Sequence, residues 1–404
     1  MPHNRDRYIQ PLILQALKHS PIVGLLGHRQ VGKTTLASAI AHEYVTFDSA
    51  YELENAIHRP IEFLENRRSP FAVDEAQLCP ALFPAAKEWV RTHPKKGQLI
   101  FTGSVRFTAR KLIRESLTGR IVNLEVLPMS IAELNGWPLP QFISDLIKIG
   151  SSRSLDTFEA KHKNIKPQLF WEYLNTGGLP GICFFRDASV RQTRFESHLD
   201  TILNRDLHLI VRSTLSPLQL RRLATFLAQN QGEPLELKSA AKACQASTTT
   251  VKKLLIAFEA LFLIRPLPSY GTVSKISYFF EDQGLATHLG QDLLSPQTQI
   301  LRGVFANLRS ELHYRPHPKN EIFSFRTHDG AVVPLAFRTE QGVLGIIPSD
   351  EKTPTLKARA SARSFLEHFP HAKVIVTTTA HQVETRDFKI ISVPIGYFAK
   401  PMDR

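Results

Sequence analysis

"PIVGLLGHRQVGKTTLASAI", residues 21–40, decides how the rest of the chain is read. "PIVGLLG" is a short continuous apolar run, the pattern of a strand buried on both faces of a parallel sheet. Two glycines five positions apart, Gly27 and Gly32, enclose His28, Arg29, Gln30 and Val31; Lys33, Thr34 and Thr35 follow. "KTTLASAIAHEY" predicts a helix with Leu36, Ala37, Ile40 and Ala41 on one face. Strand, glycine loop and helix in this order are the context that makes GxxxxGK[ST] a phosphate site. Gly27 and Gly32 let the backbone wrap closely, so that N–H groups from Gly27 to Thr35 and the helix N-terminus point at phosphate oxygens. Lys33 supplies a point charge to the terminal phosphates and Thr34 a hydroxyl for Mg²⁺.

Hydrolysis needs an acid for the metal and a base for the attacking water. "SPFAVDEAQLCP" (69–80) predicts a second buried strand leading into Asp74 and Glu75. Adjacent side chains on a strand point to opposite faces. Asp74 is therefore expected at the metal, and Glu75, where the chain turns away, at the water beside the γ-phosphate. "GQLIFTGSVRF" (97–107) predicts a third strand, ending at Thr102, Gly103 and Ser104. Ligands gather at the carboxyl ends of parallel strands. Two readings of Ser104 stand: a hydrogen-bonding sensor of the γ-phosphate, or a simple turn residue. "RKLIRESLTGRIVNLEVLPMSIAEL" (110–134) then predicts a basic helix, Gly119-Arg120 and a strand. Arg120 is either an arginine finger offered to a neighbouring subunit or an ordinary surface or salt-bridged arginine.

These segments resemble a group of prokaryotic AAA-type P-loop ATPases that carry a winged-helix segment and a C-terminal PD-(D/E)xK nuclease-like domain. The resemblance runs through "GHRQVGKTTL", "YVTFDS", "FAVDEAQLCPALFPAAKEWV", "LIFTGS" and "ESLTGRIVNLEVLPMSIAEL". It resumes in "YLNTGGLPG", "LIRPLPSY" and "SYFFEDQGLATHL". His28 stands where the family usually has proline. The resemblance implies ATP, with Mg²⁺, rather than GTP. The expected fold class is α/β: a P-loop parallel sheet, then a winged-helix region and a degenerate nuclease-like α/β domain.

Four segments are expected. Residues 1–137 are the ATPase domain. Residues 138–167, irregular and rich in serine and charge, read as a connecting segment. Residues 168–270 are helical, with a helix at 216–231 and then helix, turn, helix and strand pair, the pattern of a winged helix. There Ser247 is a natural N-cap, Val251, Leu254, Leu255 and Phe258 should face the core, and Thr248, Thr249, Lys252 and Lys253 should face outward. Residues 271–404 have five strand-like runs, "KISYFF", "EIFSFRTH", "AVVPLAF", "GVLGII" and "KVIVTTT", with the helix "LKARASARSFLEHF" between the last two. A nuclease of the resembled type needs an Asp and a Glu on Mg²⁺ and a Lys beside the water. Read across, Ala306 replaces an acidic residue, Pro334 the aspartate, Ile347 the glutamate and Ser349 the lysine. Asp350, Glu351 and Lys352 follow directly and would re-enter only through a register slip. The expectation is an architecture retained without cleavage.

Bulk properties narrow the setting. The 404 residues carry 50 Lys and Arg against 37 Asp and Glu, for a net charge of +13. Such a surplus attracts polyanions without demanding one: DNA contact and simple solubility both fit, since residues 181–270 hold only twelve basic against seven acidic side chains and no long basic block. Cys79, Cys183 and Cys244 make neither a disulfide framework nor a zinc spacing. No apolar run approaches the roughly 18 residues of a membrane span. "MPHNRDRYIQ" lacks the apolar core of a signal peptide, and the cytoplasm is the expected compartment. Three roles remain open: an ATPase that rearranges its own domains, a DNA-stimulated ATPase, and a slow switch controlling a protein partner or homo-oligomeric assembly.

Overall fold

The apolar run after Pro21 becomes β1 (Ile22–Gly27), wholly buried and hydrogen-bonded on both sides to parallel neighbours. The structure is a computed structural model that describes residues 5–65, 67–107, 119–162, 167–290, 293–385 and 387–399. Five parallel strands form the first sheet: β2 (Glu43–Thr46), β3 (Phe71–Asp74), β4 (Leu99–Gly103), β1 and β5 (Ile121–Val126), in that spatial order. Residues Ile22 and Leu99 are in register, as are Ile22 and Ile121, so the carboxyl ends of β1, β3 and β4 lie together. Helix α1 (Gln10–His19) packs against β1 and β5, and α2 (Lys33–Ile40) leaves the phosphate loop. Helix α2 is shorter than the periodicity suggests. Ala41 is extended, and His42 donates its N–H to Pro70 O at 2.8 Å as the chain enters β2. Three helices, α3 (Ala50–His58), α4 (Pro60–Leu64) and α5 (Leu82–Thr92), complete this body. The basic helix expected before Gly119 falls largely on 108–118, outside the described residues.

Within the segment expected to be a connector, two stretches instead form helices with a buried face. After α6 (Ile131–Leu134), α7 (Phe142–Lys148) and α8 (Ser152–Lys161) insert Phe142, Ile143, Leu146 and Phe158 into a core shared with Leu344, Tyr397 and Phe398. Phe142, Ile143, Leu146 and Ile147 recur at helical spacing, as do Leu155 and Phe158, but each run is too short to mark a helix by pattern alone. Only tertiary packing against the distant C-terminal sheet makes them helices worth forming.

Residues 167–290 are a helical body. Helix α9 (Pro167–Thr176) stops at Gly177, whose φ of 67° is a left-handed stop. Next come α10 (Pro180–Cys183), α11 (Ala188–Thr201) and a single π turn (Ile202–Asp206). Helices α12 (Pro217–Gln229), α13 (Leu237–Ala243) and α14 (Thr248–Ala260) form a three-helix unit. Ser247 caps α14 by accepting from Thr250 N at 3.0 Å, and Val251, Leu254, Leu255 and Phe258 are buried while Thr248, Thr249, Lys252 and Lys253 are exposed. Strand β6 (Ile264–Leu267) pairs antiparallel with β8 (Ser277–Phe280), and α15 (Gln283–Gly290) packs on α9 and α12. A division at 270 cuts this strand pair. "KISYFF" thus belongs to the helical body and not to the C-terminal sheet.

That sheet has seven strands: β7 (Ser269–Gly271), β9 (Glu321–Arg326), β10 (Val332–Thr339), β11 (Gly342–Ile347), β12 (Lys373–Thr378), β13 (Glu384–Thr385) and β14 (Ile390–Pro394), in the spatial order β13-β14-β12-β11-β10-β9-β7. Helix α16 (Pro296–His313) covers one face and α17 (Leu356–His368) the other. Pro334 sits where the β9–β10 register shifts between Val333 and Ala336, a position that suits a residue with no N–H to donate. Ile347 packs into the α17 core, and Ala306 is half-buried against the core under α16. Asp350 accepts a hydrogen bond from the Gln297 amide, while Glu351 and Lys352 are exposed. Among the described residues no group of three His, Cys, Asp or Glu is placed to hold a metal.

One ionic joint ties the three bodies. Glu125 of β5 accepts from Arg309 Nη2 of α16 at 2.8 Å and from Arg265 of β6, and lies 3.5 Å from Arg106 Nη1. Arg265 Nε also donates to Glu281 Oε1 at 3.0 Å, and Arg309 to the other Glu281 oxygen.

Candidate functional site

The phosphate loop is held open by left-handed backbone and closed around a cation. Gly32 has φ 97° and Gln30 φ 62°, conformations that aim successive N–H groups to one side. A Cβ on Gly27 would fall 2.4 Å from Val126 O, so only glycine lets β1 leave the sheet here. Lys33 is buried, and its Nζ donates to the Gly27 and His28 carbonyls, both at 2.9 Å. Burial lowers its pKa to about 8, against the opposing pull of Glu75 and Asp74. A buried ammonium bonded, among the described residues, to loop carbonyls is a cation that an anionic ligand would satisfy better.

Asp74 ends β3 and gathers three hydroxyls. Thr34 Oγ1 donates to its Oδ2 at 2.7 Å, Tyr44 OH to the same oxygen at 2.9 Å, and Thr102 to Oδ1. Thr34 and Asp74 together are an all-oxygen pair at the mouth of the loop, the donor chemistry Mg²⁺ takes. The next residue, Glu75, turns into left-handed backbone with φ 54°, which swings its carboxylate out of the strand. Its Oε2 accepts from Ser104 Oγ at 3.2 Å and from the Gln77 amide, which also donates to Ser104 Oγ at 3.3 Å. Ser104 is thus bonded to the Glu75 carboxylate and is more than a turn residue.

The structure brings together Gly27, Gly32, Lys33, Thr34, Asp74, Glu75 and Ser104. The remaining loop side chains serve elsewhere. Val31 is in the core, Thr35 is exposed, and Gln30 lies against Gly181. Arg29 Nη1 donates to Asp206 Oδ2 at 3.4 Å. His28 is buried with its ring stacked on His198, centroids 5.0 Å apart, and burial lowers its pKa to about 4. A histidine in place of the resembled proline therefore packs the loop against α11.

Arg120 stands apart. It immediately precedes β5, whose Ile121 is level with Ile22 at the start of β1, whereas the loop begins level with Val126. That separation is about 17 Å of strand, so Arg120 does not reach the phosphate loop of its own chain. Its carbonyl accepts from Ser20 Oγ at 3.3 Å.

Three supporting residues were not singled out from the sequence. Arg7 is buried and spans Val31 O and Leu127 O, both at 2.7 Å, and Glu133 Oε1 at 3.1 Å. Gln77 offered a signal, a polar residue two positions after Glu75. Asp282, buried and raised to about 6 by burial, accepts from Gly178 N at 2.7 Å. It thereby fixes the "GGLPG" turn whose Pro180 lies beside Gly32.

Residues 19–135 match the family model of an AAA domain. This part of the chain is a P-loop AAA-type ATPase domain, with the nucleotide binding that implies. Residues 167–295 match a domain of unknown function. Uncharacterized proteins of Mycobacterium bovis and Mycobacterium tuberculosis are each 26% identical over 266 residues, 65% of this chain and 53% of theirs. The chain spans about half the length of these curated relatives. Among solved structures, a signal-transduction ATPase with a tetratricopeptide-repeat sensor from Pyrococcus horikoshii aligns with TM-score 0.26 and 14% identity, over 75% of this chain and 45% of its own. A DNA polymerase III gamma subunit-related protein from Thermotoga maritima aligns with TM-score 0.25 and 15% identity, over 62% and 99%. No described helix is long and apolar enough to cross a membrane.

Proposed function

We propose that this chain is a Mg²⁺-dependent ATPase whose nucleotide state moves a winged-helix unit (α12–α14 with β6 and β8) and a nuclease-like domain that no longer cuts. The observation that carries the reading is the Lys33 ammonium held at 2.9 Å from two loop carbonyls, with Thr34 and Asp74 2.7 Å apart beside it. Lys33 would exchange its carbonyl partners for β- and γ-phosphate oxygens. Thr34 and Asp74 would hold Mg²⁺, which when bound neutralises charge on the phosphates. Glu75 would orient the attacking water and take its proton. The water oxygen bonds to the γ-phosphorus, the bond to the bridging oxygen breaks, and its electron pair leaves with ADP. Ser104, bonded to Glu75 at 3.2 Å, would report whether the γ-phosphate is present.

The route from that report to the rest of the chain is short. Two residues after Ser104, Arg106 N donates to Ala260 O at 2.8 Å, at the last turn of α14, and its guanidinium lies over Phe262. Ile347 and Pro334 at the positions of nuclease carboxylates support a C-terminal domain that serves as scaffold. The test is steady-state ATP hydrolysis by the whole chain, with Lys33→Ala as control. Turnover above that control is expected, and equal rates in the two proteins refute the reading.

A second reading keeps the ATPase and adds DNA. The exposed Thr248, Thr249, Lys252 and Lys253 on α14 favour it. DNA should then stimulate hydrolysis, with binding that weakens steeply in salt. Nucleotide-dependent assembly without a DNA effect would favour a switch acting on a protein partner or a second copy, in the cytoplasm.

A further inference from the structure

The carboxylate offered to Mg²⁺ is held from the neighbouring strand. Strand β2 runs parallel to β3, with Tyr44 level with Ala72 and Thr46 level with Asp74. Residues two apart on a strand share a face, so these four side chains point to one side of the sheet, where α2 packs on both strands. Ala72 is too small to block the Tyr44 ring, which packs half-buried against the core that contains Ala72 and Ala37. A phenol laid along the strand covers the two-residue step of about 7 Å, and its hydroxyl donates to Asp74 Oδ2 at 2.9 Å. Thr34 Oγ1 donates to the same oxygen at 2.7 Å, while Thr102 donates to Oδ1 and accepts from Glu75 N at 3.3 Å. The buried Asp74 carboxylate is thus fixed at both oxygens, from α2, β2 and β4. Burial, and then the Asp74 charge, raise the Tyr44 pKa, so the hydroxyl keeps its proton and donates.

We propose that Tyr44 is a positioning residue for Mg²⁺: its hydroxyl fixes the plane of the Asp74 carboxylate, and that orientation sets a preference for Mg²⁺ over Ca²⁺. The proposal rests on the ATPase reading above and adds to it a residue that touches neither nucleotide nor metal. Mg²⁺ takes a near-ideal octahedron of oxygens at about 2.0–2.1 Å, whereas Ca²⁺ accepts about 6–8 oxygens at about 2.3–2.6 Å in flexible geometry. A carboxylate held before the ion arrives suits the first, and one free to turn suits the second. Thr34 does not supply this hold alone, because its own oxygen is offered to the ion. Tyr44 reaches the same carboxylate oxygen from β2, outside the phosphate loop, and keeps it in place as the loop closes on phosphate. Phenylalanine would fill the same space; what tyrosine adds is one donor aimed at one oxygen. Removing a partner of this kind, one step behind the ligands, typically changes metal affinity about 10–100-fold.

The test compares the whole wild-type chain with Tyr44→Phe, using Lys33→Ala and Asp74→Asn as references. Equilibrium binding of ATP is measured in EDTA, with Mg²⁺ and with Ca²⁺, and Mg²⁺ is titrated in steady-state turnover. In EDTA, Tyr44→Phe should bind ATP as the wild type does, which also shows that the variant folds around an intact loop. It should need about 10-fold more Mg²⁺ for the same binding and turnover, with kcat recovering at saturating Mg²⁺. The shift with Ca²⁺ should be smaller, so that the preference for Mg²⁺ narrows. A Mg²⁺ requirement equal to that of the wild type overturns the proposal. Weakened ATP binding in EDTA also overturns it, since Tyr44 would then support the loop itself. Equal shifts with the two ions overturn the orientation argument. A wild-type chain that binds ATP no better than Lys33→Ala sinks the ATPase reading, and an Asp74→Asn chain that binds Mg²⁺ and ATP like the wild type removes Asp74 from the metal. Either failure is distinct from a null result in Tyr44→Phe alone, which leaves both of those assignments standing.

Discussion

Replacing Glu125 by glutamine tests how the three bodies are joined. The side chain is 16% exposed and faces Arg309, 6% exposed, together with Arg265 and Arg106. Breaking a buried ion pair by removing one partner costs about 3–5 kcal/mol, since the surviving charge is left uncompensated. Glu281 remains to balance one arginine, its side chain 1% exposed, which places the expected loss at the lower end, about 3 kcal/mol. At about 2–4 °C per kcal/mol for chain lengths of this order, Glu125→Gln should lower the melting midpoint on the order of 10 °C. The control is Glu62→Gln, which breaks the exposed Arg59–Glu62 pair (73% and 64% exposed) and should cost under about 0.5 kcal/mol.

The pH dependence has a definite sign. Burial alone would raise the Glu125 pKa, but Arg265, Arg309 and Arg106 outweigh it and hold the carboxyl well below the usual range. A depressed folded pKa contributes stability above the unfolded value of about 4.3 that is lost as pH falls further. The gap between wild type and Glu125→Gln should therefore be full at pH 7 and close in acid. Thermal melts by circular dichroism at pH 7 and pH 3 read both effects. A Glu125→Gln midpoint within a degree or so of Glu62→Gln at pH 7 would refute the claim that this joint carries weight.

Two further outcomes are expected. Glu75→Gln should bind ATP as the wild type does and lose most of its turnover, about 100-fold or more; single-turnover kinetics check this, and an unimpaired kcat removes Glu75 from the role. His28, neutral when folded with a pKa near 4, contributes stability at neutral pH that falls by about 3 kcal/mol as the pH drops from 6.5 to 4, because the unfolded chain binds the proton first. Urea midpoints across that range should fall less steeply in His28→Phe, and parallel slopes in the two proteins contradict the assignment.

The phosphate loop, β1, β3, β4 and the Asp74–Glu75 step were legible because each is a local pattern: an apolar run, then a residue type fixed by chemistry. Ser247 and the buried face of α14 were legible for the same reason. What escaped is held by distant partners. Arg7 matters through Leu127 and Glu133, more than a hundred positions away, and nothing in "MPHNRDRYIQ" marks it. Asp206 matters through Arg29. Helices α7 and α8 read as a connector because their apolar residues make sense only against Leu344 and Phe398. "KISYFF" was read as a strand but grouped with the C-terminal region, because a strand's period tells its burial and not its neighbour.

One core runs without a break from Val23, Val31 and Leu36 around the phosphate loop to Leu179, Ile182, Phe195 and Leu199 of the helical body. Loop and helical body are therefore cut from one piece: severing the chain after the first sheet would strip an oily flank from the very loop that grips the nucleotide. Any movement driven there has to be a repacking of common furniture, felt at once on both sides, and not the swing of a part hung on a tether.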